Sequence, residues 1–305
     1  MYKGKYKKTL DMEPAIVTLA GEEFKLHHID KTKDIPSRTK GVIEAVKLMK
    51  DKRDWDNLPH LLAGMKNAKR KFAPSIRNRI MGRAAANGRM DVMLECARRV
   101  DYTGFQLNDP DLVLDFLRGI MYKAVALGER DAKETEQALV WAEMVADMLE
   151  DERHSGKRNI VENDPRASRE VVGILLDLAA MRATQRNGKD EDGKVVRYAE
   201  RLLGTSFLSS PPEDGIKRLT GRIQAMNRWL QINVLVLHGI KVAGQVLDPS
   251  TKVAVELEQI GTSLEETVNR ERERMIQEVA SNEAKKDLKF LALNYYDKLL
   301  GQQTS

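Results

Sequence analysis

Apolar residues recur at three- and four-residue intervals along most of the chain, the spacing that gathers them on one face of an α-helix. After Ser37, whose hydroxyl is placed to cap a helix, Val42, Ile43, Val46, Leu48 and Met49 make such a face, with a stop near residues 51–54. Trp55, Leu58, Leu61, Leu62 and Met65 predict a second helix over residues 54–69. Pro59 falls early enough in it for the missing N–H to cost little. Pro74 restarts the pattern through Ile76, Ile80, Met81 and Ala84, and Asn87-Gly88 ends it with residues suited to a positive φ. Met90, Met93, Leu94 and Ala97 continue on a further helix, which Gly104 closes.

Laid over each other, residues 39–73 and 74–108 have the same length of 35, and Asp56 falls on Asp91, Leu58 on Met93 and Met65 on Val100. Two helices per period of this size describe a helical solenoid, in which each hairpin buries its apolar face by stacking on the next. Asp109-Pro110 opens another helix through Leu112, Phe116, Leu117, Ile120, Met121 and Ala124, and residues 132–152 give it a partner carrying Ala138, Trp141, Ala142, Val145, Met148 and Leu149.

Beyond a loop at 154–165 the register loosens. Helices are predicted around Val171, Leu175 and Ala179 and over 194–203, and then Ser209-Ser-Pro-Pro212 marks a linker. Two long helices follow, one over 213–246 and one after Asp248-Pro249 with the stripe Val253, Leu257, Ile260, Leu264 and Val268. A last apolar cluster, Leu288, Leu291, Tyr295, Leu299 and Leu300, is expected to dock back as a cap. The first 36 residues show no helical period and are read as an extended basic arm with one short strand at 15–19. The expected organisation is an arm (1–36), a helical-repeat domain (37–205) and a long-helix domain packing on the repeats (206–305).

Composition agrees with this pattern. Charged residues are 32% and aromatic residues 5% of the chain, a palette that favours an all-α fold over a sheet. The most apolar run, 229–247, carries Asn233, His238, Lys241 and Gln245, so it reads as a buried helix and not a membrane span. Cys96 is the single cysteine, which excludes an internal disulfide, suits a reducing compartment and is expected to be a buried structural thiol. There is no phosphate-cradling glycine loop, no metal-spaced ligand set and no nucleophile elbow, and His60, His154 and His238 stand apart from one another. No enzyme activity, cofactor or metal is expected.

Charge distribution gives the sharpest signal. The net charge of +5 is modest, but between Asp56 and Asp91 the chain has no acidic residue and eight basic ones: Lys66, Lys69, Arg70, Lys71, Arg77, Arg79, Arg83 and Arg89. Arg79 and Arg83 lie four apart on one helical face, and the lysine-rich end of the preceding helix stands before them in sequence. Cations so placed grip a nucleic-acid backbone through its phosphates. Solubilising the surface, or capping helix C-termini, is the plainer role for the same side chains.

Residues 74–108 resemble a pentatricopeptide repeat, the 35-residue helical hairpin of organellar RNA-binding proteins. The resemblance rests on Asn78 and Ile80 in the first helix, Asn87-Gly88-Arg89-Met90-Asp91 at the turn, Leu94 in the second helix and Gly104-Phe105 before Asn108. It implies a right-handed solenoid of the pentatricopeptide or tetratricopeptide kind, and a base read by Asn78 and Asn108. The preceding unit holds Ile43 and Ala73 at those places, without polar side-chain atoms, so backbone gripping is expected in place of sequence reading. The resemblance further implies a mitochondrial-matrix factor in translation or RNA processing, with RNA or ribosomal proteins as partners in a larger complex. Residues 1–8 are basic but too short, and too poor in Arg and Ser, for a transit peptide. The alternative is a protein-interaction scaffold that holds a partner helix or peptide in its concave face.

Overall fold

Helix forms almost everywhere the apolar spacing predicts it. The computed structural model describes residues 9–10, 12–26, 38–69, 73–126, 131–156, 159–160, 164–205, 211–212, 219–281 and 290–301, and the fold is all-α apart from one small hairpin. The chain divides into two compact units, residues 1–50 and 51–305.

In the first unit, strands β1 (Ile16–Leu19) and β2 (Glu22–Lys25) pair antiparallel, with Val17 opposite Phe24 and Leu19 opposite Glu22. The first strand falls where the sequence places one. The second is an addition: Ala20 and Gly21 both take positive φ, at 53° and 86°, and this two-residue turn returns the chain along itself. All eight strand residues are exposed. Helix α1 (Arg38–Leu48) follows, with Val42 and Val46 buried.

The second unit opens with α2 (Lys52–Asp56) and α3 (Leu58–Asn67), where the apolar pattern suggests one continuous helix. The break lies at Asn57, whose N–H donates to the Asp54 carbonyl at 3.1 Å; Pro59, lacking an N–H, then sits in the first turn of α3. Next come α4 (Pro74–Ala86), α5 (Met90–Arg98) and the short α6 (Val100–Thr103). Asp109 starts α7 (Pro110–Ala126), its carboxylate accepting from the Asp111 N–H at 3.1 Å. Asp131 caps α8 (Ala132–Glu150) by accepting from the Glu134 N–H at 2.7 Å, and α9 (Glu152–Ser155) is a single turn.

These hairpins stack in the manner the period implies: α4 packs on α7, and α5 on α8. The stack continues through α10 (Arg169–Arg186) and α11 (Lys194–Gly204), since α8 and α7 both contact α10.

Three more helices complete the unit: α12 (Leu219–Val246), α13 (Lys252–Ala280) and α14 (Leu291–Leu299). The pairing of α10 with α12 is the most extensive in the structure, and residues 229–240 are buried without interruption. The two helices cross closely enough that a Cβ on Gly239 would lie 2.7 Å from the Asp177 Cα and one on Gly173 2.6 Å from a Val236 methyl. Beside this crossing, His238 Nδ1 lies 2.5 Å from Asp177 Oδ1, so two buried polar groups satisfy each other. Helix α14 packs on α12 and also contacts α7.

Candidate nucleic-acid interface

At one end of α3 the sequence places Lys66 and Lys69 a turn apart. The structure brings them beside Arg77 from the first turns of α4 and Asn108 from the loop before α7, in a groove of about 650 Å³. Arg153, from α9, completes a set of four cations around the groove, and Asp101 is the one acidic residue among its described lining residues. Lys69 is exposed and takes a left-handed φ of 53° just past the helix end.

The groove has a fixed floor. Gly104 ends α6 with φ 71°, a conformation open to glycine, and a Cβ there would come within 3.2 Å of Lys66 Cδ. The lysine stem therefore lies over Gly104, and its ammonium donates to the Asp101 carbonyl. From there the chain is held on both sides. The Thr103 hydroxyl donates to the Cys96 carbonyl at 2.6 Å and accepts from the Phe105 N–H at 3.1 Å. The Leu107 N–H donates to His154 Nδ1 at 3.2 Å, and the Gln106 amide donates to the Arg153 carbonyl at 3.1 Å.

Several of the cations also bind their own chain. Arg77 donates to Asp109 Oδ2 at 3.2 Å and touches Asn108 Oδ1 at 3.5 Å. Arg153 donates to Asp101 Oδ2 at 2.9 Å and to Asp151 Oδ2 at 2.6 Å; hydrogen bonds from Arg153 draw the Asp151 carboxyl down to about 2. Burial pushes the His154 imidazole below its ordinary value, which suits its role as an acceptor from Leu107.

The sequence-predicted residues are thus spread over distinct places. Lys66, Lys69, Arg77 and Asn108 share the groove. Arg79 and Arg83 are exposed on α4 and do not line it, and Arg70 and Lys71 lie outside the described residues. Arg89 is mostly covered, holding Asp56, Asp91 and the Lys52 carbonyl. Asn78 lines a different cavity from Asn108, one between α4, α7 and α12. Charge counting missed Arg153, which lies well downstream of the basic run, next to two acids, and carries no local signal.

Comparison with known proteins bears on what such a surface serves. The family model described as mitochondrial ribosomal protein mS27 matches residues 1–297. The small ribosomal subunit protein mS27 of Neurospora crassa is 29% identical over 220 residues, covering 67% of this chain and 55% of that protein. The chain spans about half the length of this relative. A mitochondrial-matrix location, the expectation drawn from the repeat resemblance, agrees with this family. With nearly its whole length matched, the chain belongs to the mitochondrial ribosomal protein mS27 family.

Proposed function

We propose that the chain is a non-catalytic component of the small subunit of the mitochondrial ribosome, and that it holds RNA by its phosphates in the groove of Lys66, Lys69, Arg77 and Arg153. The carrying observation is the convergence of these four cations, from three separate segments, around a cavity with one acidic residue among its described lining residues. Groups so arranged follow a phosphate backbone and carry no base information, and Asn108 adds a hydrogen bond to sugar or phosphate. Asp101 holds Lys66 through its carbonyl and Arg153 through its carboxylate, which keeps these two cations in place before RNA arrives. In this reading residues 74–108 are a pentatricopeptide-type hairpin in a right-handed stack, used for gripping and for contact with neighbouring ribosomal proteins.

The test is a double charge reversal, Lys66→Glu with Lys69→Glu, assayed by fluorescence anisotropy with a single-stranded RNA of about 20 nucleotides. Two lost phosphate contacts predict affinity at least about tenfold weaker at moderate salt, with an unchanged circular dichroism spectrum. Affinity within twofold of the parent, together with protein partners that survive nuclease treatment in a pull-down, supports a protein scaffold instead.

A further inference from the structure

The cavity that Asn78 lines carries polarity that packing does not use. It has a volume of about 420 Å³ and opens between α4, α7, α12 and the start of α14. Gln231 stands at its wall, 3% exposed, and among the described residues its amide makes no hydrogen bond. Asn78, half-buried, makes none either. Both amides therefore keep their hydrogen-bonding capacity for whatever enters the cavity. Asn227, which also lines the cavity, uses its oxygen to accept from the Ala292 N–H at 3.1 Å.

Charged groups line the same cavity. Arg118 and Arg228 are about a quarter exposed and flank the buried Asp115: Arg118 Nη2 lies 2.8 Å from Oδ1 without a hydrogen bond's alignment, and Arg228 Nη2 lies 3.1 Å from Oδ2. Arg228 also donates to the Asp111 carbonyl at 2.6 Å, and the mostly exposed Asp111 carboxylate is 3.5 Å away. Two guanidinium groups thus share one buried carboxylate. Tyr122 adds an aromatic side chain to the lining.

We propose that this cavity receives one extruded nucleobase of RNA, its edge against the amides of Gln231 and Asn78 and its sugar-phosphate at Arg118 and Arg228. The inference rests on the RNA-holding role proposed above. Amides both donate and accept, which is what a base edge requires, and a volume of this size suits a single nucleotide. A phosphate alone, which only accepts, would leave the amide oxygens of Gln231 and Asn78 without a donor. The partner of Asn78 in this arrangement is α12, outside the repeat, and not Asn108, which lines the other groove.

The experiment titrates the full chain with each of the four nucleoside 5′-monophosphates while following side-chain amide resonances by ¹H–¹⁵N NMR, with Asn78→Ala and Gln231→Leu as assignments and controls. The expected result is saturable movement of the Gln231 and Asn78 signals by at least one nucleotide at about millimolar concentration. Gln231→Leu should weaken that binding about fivefold or more, whereas Lys66→Glu with Lys69→Glu should leave it within about twofold. No movement of either amide by any nucleotide, or equal binding by folded Gln231→Leu, overturns the proposal and leaves a hydrated cavity. If the 20-nucleotide RNA still binds in a salt-dependent way in that case, the groove stands and only the cavity falls.

Discussion

Asp56 and Asp91 stand 35 residues apart, at equal positions of adjacent hairpins, and accept hydrogen bonds from the same guanidinium: Arg89 Nη2 reaches Asp56 Oδ1 and Arg89 Nε reaches Asp91 Oδ1, each at 2.9 Å. A further bond, from Nη1 to the Lys52 carbonyl at 3.1 Å, ties α2 into the same joint. The arginine is 13% exposed, so its charge serves the stack more than the surface. Arg89→Met should therefore lower stability by about 1–2 kcal/mol, between the value of an exposed ion pair and that of a charged hydrogen-bond set. Urea unfolding checks this; a midpoint equal to the parent's would show that the joint holds without it.

Gly239 allows α12 to lie against α10. Alanine is the better helix former by about 1 kcal/mol, yet its methyl would sit 2.7 Å from backbone atoms of Asp177. Overpacking against backbone outweighs propensity, so Gly239→Ala should destabilise by about 1–3 kcal/mol. It should also loosen the nearby contact between His238 and Asp177. A variant as stable as the parent, measured by denaturant unfolding, would mean that the helices separate at little cost.

The loop beneath the groove has a pH limit. Because burial lowers the His154 pKa, the unfolded chain binds a proton at this site more readily than the folded chain does. Its contribution is whole above the unfolded value of about 6.5 and is lost as pH falls through the lowered folded value. Protonation at Nδ1 also removes the acceptor for the Leu107 N–H. The urea midpoint should drop between about pH 7 and pH 5.5, and drop less in His154→Leu. Equal pH dependence in the two proteins would exclude this histidine as the source.

Much of the fold was legible because its signals are local. Asn87-Gly88 and Asp109-Pro110 mark real helix ends, and the apolar stripes predicted helices within a few residues. The break at Asn57 and the short strand β2 depend on finer signals, a proline at the second position of a helix and the Ala20-Gly21 turn. The candidate site was half legible. Lys66, Lys69, Arg77 and Asn108 are near in sequence and near in space, but a charge count cannot see Asp109 reaching Arg77 or Arg153 arriving from α9. The amide cavity was invisible beyond Asn78, since Gln231 belongs to a helix whose composition reads as core.

Cys96 is fully buried, and desolvation pushes its thiol up to about 12. At pH 8 the native protein should resist iodoacetamide for hours and react fully in denaturant, because the thiolate is the reactive form. Intact mass spectrometry reads this directly. Stoichiometric labelling of the native chain within minutes would contradict the full burial of this thiol.

The central claim is that four cations around one groove hold RNA by its backbone. Its most direct test is the affinity for single-stranded RNA measured across about 50 to 200 mM salt. Three or four neutralised phosphates predict a slope of log affinity on log salt of about −2 to −3, and Lys66→Glu with Lys69→Glu should make it shallower by about 1.4. A slope near zero, or one the double variant leaves unchanged, would contradict the account.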